Sequence, residues 1–266
     1  NLIKKGSKLI ITVDCGTSSY EPIAFARNKG VDIIVIDHHQ SNTNLPLATA
    51  IVNPNRIDDK SKLNYLCAAA VCFMFLVKLN SKLKQKKWFQ LNKINEPKIF
   101  NYLDLVCLAT VCDLAPIIEL NRAIVKQGLK IINNKKNLGL KNLFESSNIL
   151  SKPTTYHLSY LIGPKINAGG RVGKSSLGAK LLISKNQNEV NSLTDKLTLF
   201  NDKRKKIELK LIKEIESKIY KLDEEIILVY GNNFHEGIIG IAASKIKEKF
   251  NKPSIIISTN NKIGKG

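Results

Sequence analysis

The chain has 266 residues, of which 43% are hydrophobic and 24% are charged. These proportions are those of a packed globular protein, and they exclude a disordered, collagen-like or disulfide-stapled chain. A net charge of +20 favours a polyanionic partner such as nucleic acid. Biased composition explains that charge equally well, because only five basic residues are Arg and the Lys residues accompany abundant Asn and Ile. A scarce Arg is therefore more informative than a Lys.

Five cysteines lie mostly in apolar runs, and no C-x-x-C pair occurs among them. They are Cys15, Cys67, Cys72, Cys107 and Cys112. Thiols in apolar surroundings behave as small hydrophobic groups, so we expect reduced, buried cysteines and a cytoplasmic protein. The longest apolar stretch, residues 67–77, is too short to span a bilayer, and no membrane partner is expected. Since the chain starts without Met, we expect it to lack both ends of the natural protein.

In the first third, short β-branched runs alternate with helical stretches, which is typical of βαβ units in a parallel sheet. Strands are predicted at Leu9–Val13 and Val31–Ile36, with a helix at Tyr20–Lys29 between them. Each strand runs into an aspartate, Asp14 or Asp37. Both carboxylates are therefore expected at the carboxyl edge of the sheet, where open α/β sheets bind ligands.

Helical periodicity dominates the middle of the chain. Helices are predicted over Tyr65–Asn80, Pro97–Val111 and Asn121–Asn133. From Glu189 to Leu222 apolar residues recur at spacings of three and four with charges between them. This pattern predicts one long amphipathic helix.

A second α/β unit is predicted after the long helix. Its expected elements are a strand at Glu225–Tyr230, a loop containing His235, a helix near Ile241–Phe250 and a strand at Ser254–Ser258. The sequence therefore predicts an α/β protein with two domains.

Two histidines directly follow the aspartate at the end of the second predicted strand: Asp37, His38 and His39 are consecutive. Successive side chains diverge, so three neighbouring polar groups cannot all pack into a core. We interpret them as metal ligands or catalytic groups. The alternative is a turn in which one His caps a helix and the other is solvated.

Asp14 and Asp113 extend this group to a mixed set of carboxylates and imidazoles, although a capping or solvated Asp is the usual alternative. Such a set suits Mn²⁺ or Mg²⁺ better than structural zinc. Two such ions about 4 Å apart activate water and stabilise the leaving oxygen in phosphodiester hydrolysis. Asp37 could fix the tautomer of a ligand imidazole through a hydrogen bond.

Three segments resemble, in the right order, motifs of the DHH family of phosphoesterases: VDCGT at 13–17, IDHH at 36–39 and ATVCDLAP at 109–116. Two more resemble the RecJ-type exonucleases within it. GPKINAGGR at 163–171 is similar to their P-R-I-N-A-A-G-R segment. HEGIIGIAA at 235–243 is similar to the opening of their partner domain, called DHHA1.

The resemblance implies a role for each matched side chain. It makes Asp14, His38, His39 and Asp113 metal ligands, and it adds Asp37 to the two histidines as a catalytic group. In the remaining motifs it implies substrate binding. The substrate-binding residues would be Asn167, Arg171 and His235.

Of these three, Arg171 would hold a phosphate of the substrate, the 5′ one, because its planar fork can bind phosphate through two hydrogen bonds. For His235, a contact with the DNA backbone or scissile phosphate and a purely structural hydrogen bond both stay open. Asn167 and the neighbouring glycines could instead shape a loop that lets the backbone approach the strand.

The resemblance also implies the domain limits. A DHH catalytic domain would cover residues 1–186 without its N-terminal motif, a connecting helix 187–222, and the start of an incomplete DHHA1 domain 223–266. The sequence departs from the family pattern in three ways. The family's first motif, an Asp-x-Asp that supplies further metal ligands, is absent, a Gly-Ser-x-Arg-Ser type motif expected just after residue 266 is missing, and Lys165 and Gly169 replace the usual Arg and Ala. We therefore expect weak or no turnover from this chain alone, and activity from the intact protein.

The activity implied is metal-dependent 5′-to-3′ hydrolysis of single-stranded DNA, in DNA repair and recombination, with two divalent cations, Mn²⁺ or Mg²⁺. A single-strand binding protein and a helicase are candidate partners, although no residue demonstrates either. An alternative is a phosphoesterase of the same family acting on short oligonucleotides, nucleotide bisphosphates or polyphosphate. From another class, the alternative is a non-catalytic scaffold that binds nucleic acid.

Overall fold

The computed structural model of the protein describes residues 1–219, 225–260 and 263–266. Within these ranges the chain forms two compact units, each of which combines helices with a three-stranded sheet. The α/β class predicted from the sequence is confirmed. No helix in the described ranges is both long and apolar enough to cross a membrane.

The first unit comprises Asn1–Lys136 and Ser151–Ser159. It opens with a 3-10 helix at Ile3–Lys5, and a second 3-10 helix at Ile99–Tyr102 precedes α4. Its other elements are β1 (Leu9–Val13), α1 (Tyr20–Asn28), β2 (Asp32–Ile36), β3 (Ala50–Val52), α2 (Ala68–Gln85), α3 (Trp88–Leu91), α4 (Leu103–Cys112) and α5 (Glu119–Asn133).

The three strands of this unit are parallel and lie in the order β1-β2-β3. Val13 pairs with Ile36, and Ile36 pairs with Val52, so all three strands end level with one another. The polar residues that follow the strands therefore emerge at one edge of the sheet. Asp14 and Asp37 do so, as the sequence predicts.

Apolar side chains cover the middle of this sheet on both faces. Ile33 and Val35 pack with Ile23 of α1 in one core cluster. On the other face, Ile36 packs with residues of α2 and α4, including Val71 and Val106. The β-branched residues that define β2 in the sequence thus form the centre of the unit.

The edge strand β1 is only half covered. Leu9, Ile11 and Val13 lie on one face of this strand, and each keeps 48–49% of its surface exposed. The edge of β1 that faces away from β2 has no partner strand among the described residues.

The second unit comprises Asn137–Leu150 and Tyr160–Gly266. A π-helix at His157–Ile162 includes residues of both units. The elements of the second unit are α6 (Leu138–Glu145), α7 (Gly163–Val172), α8 (Ser176–Ile183), α9 (Gln187–Lys218), β4 (Ile227–Asn232), α10 (Glu236–Phe250), β5 (Ser254–Asn260) and β6 (Ile263–Lys265).

Helix α9 organises the second unit. Its buried residues include Val190 and Leu197 in the first half and Leu211 and Ile215 in the second. The second half packs with β4, α10 and β5 around one apolar core. Strand β4 is parallel to β5, and β6 is antiparallel to β5, which makes this sheet mixed.

The division between the units differs from the predicted boundary at residue 187. Helices α6, α7 and α8 pack against α9 and therefore belong to the second unit. The predicted end of the long helix at Leu222 and the predicted domain start at residue 223 lie outside the described residues. The last helical residue of α9 is Lys218.

Three predictions from the sequence are wrong in detail. Residues 97–111 do not form one helix, since a 3-10 turn at Ile99–Tyr102 precedes α4. The helix after His235 begins at Glu236 rather than near Ile241. Cys15 is exposed because it lies in the loop beyond β1 rather than within an apolar element.

Candidate metal centre

The chain reverses sharply after β1. The Asp14 amide donates to Ile36 O over 2.9 Å, which continues the sheet by one residue. Asp14 then adopts a left-handed φ of 64°, which Asp and Asn tolerate better than most residues. Gly16 follows with φ 121°, and a Cβ there would lie 2.7 Å from Thr12 Oγ1. The backbone thus requires glycine at this position and leaves the Asp14 carboxylate exposed at the sheet edge.

Asp37 is the buried centre of the next loop, with 2% of its surface exposed. It accepts hydrogen bonds from the amides of Thr17 (3.0 Å), His38 (2.8 Å) and His39 (3.3 Å), and it bonds His39 Nδ1 at 2.7 Å. Burial by itself would raise the pKa of this carboxyl, but the hydrogen bonds outweigh burial and hold the pKa well below its usual range. Asp37 is therefore held as a carboxylate anion, and the backbone amides of the loop are arranged around it.

The same contact orients His39. The hydrogen bond to Asp37 raises the pKa of the imidazole, against an opposing effect of burial. Because Nδ1 is occupied by Asp37, Nε2 is the nitrogen left to bind a metal ion. This is the pairing of carboxylate and imidazole found around many metal sites.

Four of the predicted side chains converge at this edge. Ligand atoms of Asp14, His38 and His39 all lie within 4.8 Å of one another. His38 Nε2 lies 3.3 Å from Asp14 Oδ1 and 3.7 Å from Asp113 Oδ2. The structure therefore brings together residues from three separate segments of the sequence.

The position of Asp113 favours a cation nearby. It is the C-cap residue of α4, where the negative end of the helix dipole makes a carboxylate unfavourable. The nearby carboxylate of Asp14 adds to this repulsion, which a bound divalent cation would relieve.

The donor chemistry of the cluster fits Mn²⁺ or Mg²⁺. It combines carboxylate oxygens with imidazole nitrogens, and both kinds of ligand bind these ions. The neighbouring thiol of Cys112 is no competitor, because burial raises its pKa to about 11 and it contacts Leu158 O instead.

The three predicted substrate residues all lie in the second unit. Asn167 and Arg171 are exposed and one turn apart on α7, so they share a helix face. The segment is helical rather than a loop. Arg171 Nη1 donates to Gly237 O over 3.1 Å, and His235 Nδ1 accepts the Gly237 amide over 3.2 Å as the N-cap of α10. Arg171 and His235 thus both contact Gly237 at the start of α10.

Lys165 does not share the exposed face of Asn167. Its ammonium is buried and donates to Ser146 O and Oγ over 3.3 and 3.2 Å. Burial lowers the pKa of this lysine. The residue that departs from the family motif therefore fastens α7 to the end of α6.

Two asparagines were missed by sequence reasoning. Asn53 and Asn55 follow β3 and donate to the carbonyls of His39 and His38, respectively. The signal available in the sequence was the polar triplet Asn-Pro-Asn after a short β-branched run. That run, Ala50–Val52, was not assigned as a strand.

The comparisons with known proteins concern the family and the fold. Residues 1–110 match the model of the DHH family, N-terminal domain. This segment, less than half of the chain, is what is similar to the DHH family. It includes the buried Asp37 and the two histidines whose amides donate to it.

Known proteins match this chain over nearly its whole length. It is 36% identical over 259 residues to the single-stranded-DNA-specific exonuclease RecJ of Salmonella typhimurium, covering 94% of this chain and 45% of the relative. The enzyme of the same name from Thermus thermophilus is 28% identical, with coverage of 96% and 36%. The chain thus spans less than half the length of these relatives.

Solved structures confirm the fold. The crystal structure of RecJ in complex with Mn²⁺ from Thermus thermophilus superposes with a TM-score of 0.83 at 28% identity, covering 96% of this chain and 37% of that one. A structure of exonuclease RecJ bound to manganese gives a TM-score of 0.81 at 27% identity, with coverage of 96% and 62%.

Proposed function

We propose that the protein is a metal-dependent exonuclease that hydrolyses the phosphodiester bonds of single-stranded DNA in the 5′-to-3′ direction, in DNA repair and recombination. One observation carries the proposal: His38 Nε2 faces Asp14 and Asp113 beside a histidine held by a buried anion. The names of the relatives supply the substrate.

Asp14, His38, His39 and Asp113 would hold divalent cations, two Mn²⁺ or Mg²⁺. Bound there, such ions supply an activated water and stabilise the leaving oxygen. Relatives crystallised with Mn²⁺ support this choice of ion. The contribution of Asp37 is to hold His39 in one tautomer and orientation, so that the ligand set is formed before the cation arrives.

Arg171 is proposed to bind a phosphate of the strand, with Asn167 and His235 beside it on the same surface of the second unit. Within the described residues the Arg171 guanidinium donates a hydrogen bond to Gly237 O through Nη1, and its other N–H groups suit a phosphate. Because all three residues lie around the start of α10 and one face of α7, one phosphodiester segment could contact all of them.

The proposed cellular setting is the cytoplasm, where DNA and reducing conditions occur together. Free thiols at all five cysteines fit such a compartment. A single-strand binding protein and a helicase are proposed partners, since single strands arise from unwinding and are covered by binding proteins.

The test uses the full-length protein on single-stranded DNA labelled at the 5′ or the 3′ end, with Mn²⁺ and with EDTA. We expect Mn²⁺-dependent loss from the 5′ end, and no activity above the EDTA level for His38→Ala and Asp113→Asn. Asp59→Asn is the control, because this exposed aspartate caps only a surface turn at Ser61.

Two results would overturn the proposal. Intact long DNA together with cleavage of short oligonucleotides or nucleotide bisphosphates would indicate a phosphoesterase of small substrates. DNA binding without cleavage or Mn²⁺ binding would indicate a scaffold.

A further inference from the structure

We propose that Asn53 is a positioning residue of the metal centre, which holds the His38–His39 turn through its backbone and fixes Thr17, whose amide donates to Asp37. The inference rests on the proposed function, because only a working metal centre requires the turn to be held. Asn53 contacts no ligand atom itself and would act through its neighbours.

Both the nitrogen and the oxygen of the Asn53 side-chain amide are hydrogen-bonded. The residue is 3% exposed. Its Nδ2 donates to His39 O over 2.8 Å and to Thr17 Oγ1 over 2.9 Å, while its Oδ1 accepts the Asn55 amide over 2.8 Å. A buried amide with all its partners present fixes the geometry of the groups around it.

The contact with Thr17 extends this effect to the buried carboxylate. Thr17 is 1% exposed, and its hydroxyl oxygen accepts a hydrogen bond from Asn53 Nδ2. The backbone amide of the same residue donates to Asp37 Oδ2 over 3.0 Å. A chain of hydrogen bonds thus runs from Asn53 through Thr17 to the group that orients His39.

Asn55 makes the matching contact to the other histidine. Its Nδ2 donates to His38 O over 2.5 Å and to Asn64 O over 3.2 Å. The carbonyls of both histidines are therefore tied to side-chain amides that follow β3. Asp37 accepts hydrogen bonds from the backbone amides of the same two histidines. The turn is therefore held at both its N–H and its C=O groups.

Only an amide serves this position. An aspartate has nearly the same shape, but it would turn acceptor oxygens towards His39 O and Thr17 Oγ1, the two oxygens to which Asn53 Nδ2 donates. A leucine would leave the same two partners buried without a hydrogen bond. We expect either change to displace the His39 imidazole and thereby weaken the metal site.

The experiment measures Mn²⁺ binding by calorimetry, the EPR spectrum of bound Mn²⁺, DNA cleavage and thermal unfolding in the full-length protein. Asn53→Asp is expected to raise the Mn²⁺ Kd by about 10- to 100-fold and to change the EPR spectrum. The matched control is Asn137→Asp, because Asn137 Nδ2 also donates to a backbone carbonyl, that of Leu182, at 3.0 Å in the second unit. It should lower the melting temperature without changing Mn²⁺ affinity.

If Asn53→Asp does not fold, Thr17→Val tests the same chain of contacts, with Thr17→Ser as the variant that should restore Mn²⁺ affinity. An unchanged Mn²⁺ Kd in the folded Asn53→Asp protein, or in Thr17→Val when only that variant folds, overturns the inference and leaves the proposed function standing. If the unmodified protein neither binds Mn²⁺ nor degrades DNA, the proposed function fails and the inference falls with it.

Discussion

The two groups of proposed functional residues are held in different ways. In the first unit, Asp37 is buried, and its hydrogen bonds to Thr17, His38 and His39 form a closed network. In the second unit, Asn167 and Arg171 are exposed side chains on a helix. The first arrangement fixes side-chain directions, whereas the second mainly fixes the backbone from which side chains extend.

This difference corresponds to what the two groups are proposed to bind. A metal ion tolerates little variation in ligand distance, so its ligands must be oriented before it arrives. A phosphate on a flexible strand can be reached by side chains that adjust, provided that their helices are in place. The variants below separate these two requirements.

The largest effect is expected from Asp37→Asn. An amide cannot accept all the hydrogen bonds that converge on this position, because its NH₂ group would face a donor. The orientation of His39 is then lost, and the Mn²⁺ Kd should rise by about 100-fold, as measured by calorimetry. A variant that keeps the parental Mn²⁺ affinity would show that the network does not organise the site.

Asp104→Asn is the matched control for this variant. Asp104 is also a buried carboxylate of the first unit, but burial raises its pKa. Ionisation of Asp104 therefore lowers the free energy of unfolding. The loss begins when the pH rises above the usual Asp pKa, and it is complete once the pH has passed the raised pKa of the folded state. Asp104→Asn should leave Mn²⁺ affinity unchanged and gain stability relative to the parent as the pH rises from about 4.

An intermediate effect is expected from Gly237→Ala in the second unit. A Cβ at this position would lie 2.5 Å from Arg171 O, in the close approach of α10 to α7. The unfolding free energy should fall by about 1–3 kcal/mol, and the DNA Kd should rise because Arg171 is displaced. Denaturant unfolding and DNA titration measure both quantities.

The control for this backbone contact is Gly240→Ala in the same helix, where a Cβ would meet nothing within 4 Å. It should be neutral or slightly stabilising, since Ala favours helix. Loss of Mn²⁺ affinity in Gly237→Ala but not in the control would contradict the proposal that the metal ligands and the phosphate-binding residues act separately.

The smallest effect is expected from Arg171→Ala. Loss of one phosphate contact should reduce the slope of log Kd against log salt by about 0.7 and weaken binding of single-stranded DNA about tenfold or less at low salt. Filter binding over a salt series measures the slope. Arg27→Ala serves as the control, because Arg27 pairs with Asp32 at the opposite end of β2 from the metal centre. Equal slopes for Arg171→Ala and the parent would exclude a phosphate contact.

Much of the candidate metal centre was predictable because parallel strands rich in β-branched residues end at one edge. The limits of β1 agree with the prediction, and they place Asp14 beside the residues after β2. Asp113 was a candidate from its place at the end of an apolar stretch, and the resemblance to a family added support, but its position depends on the packing of α4 and not on local pattern.

The rest of the site was hidden by weak local signals. Strand β3 has only three residues, so periodicity could not identify it, and Asn53 was missed with it. Helix α7 contains a Pro and three Gly residues that lower helix propensity, yet it forms because Ala168 and Gly169 are buried in the packed unit. In both cases tertiary packing decides a structure that short-range propensity does not favour.

The half-covered strand β1 has a consequence for how the chain behaves at high concentration. Leu9, Ile11 and Val13 form a continuous apolar stripe beside a strand edge that has no partner strand among the described residues, and such an edge is a template for pairing with other chains. The strand that leads into Asp14 is thus also a surface prone to self-association. Colloidal stability and the proposed metal site therefore both depend on β1.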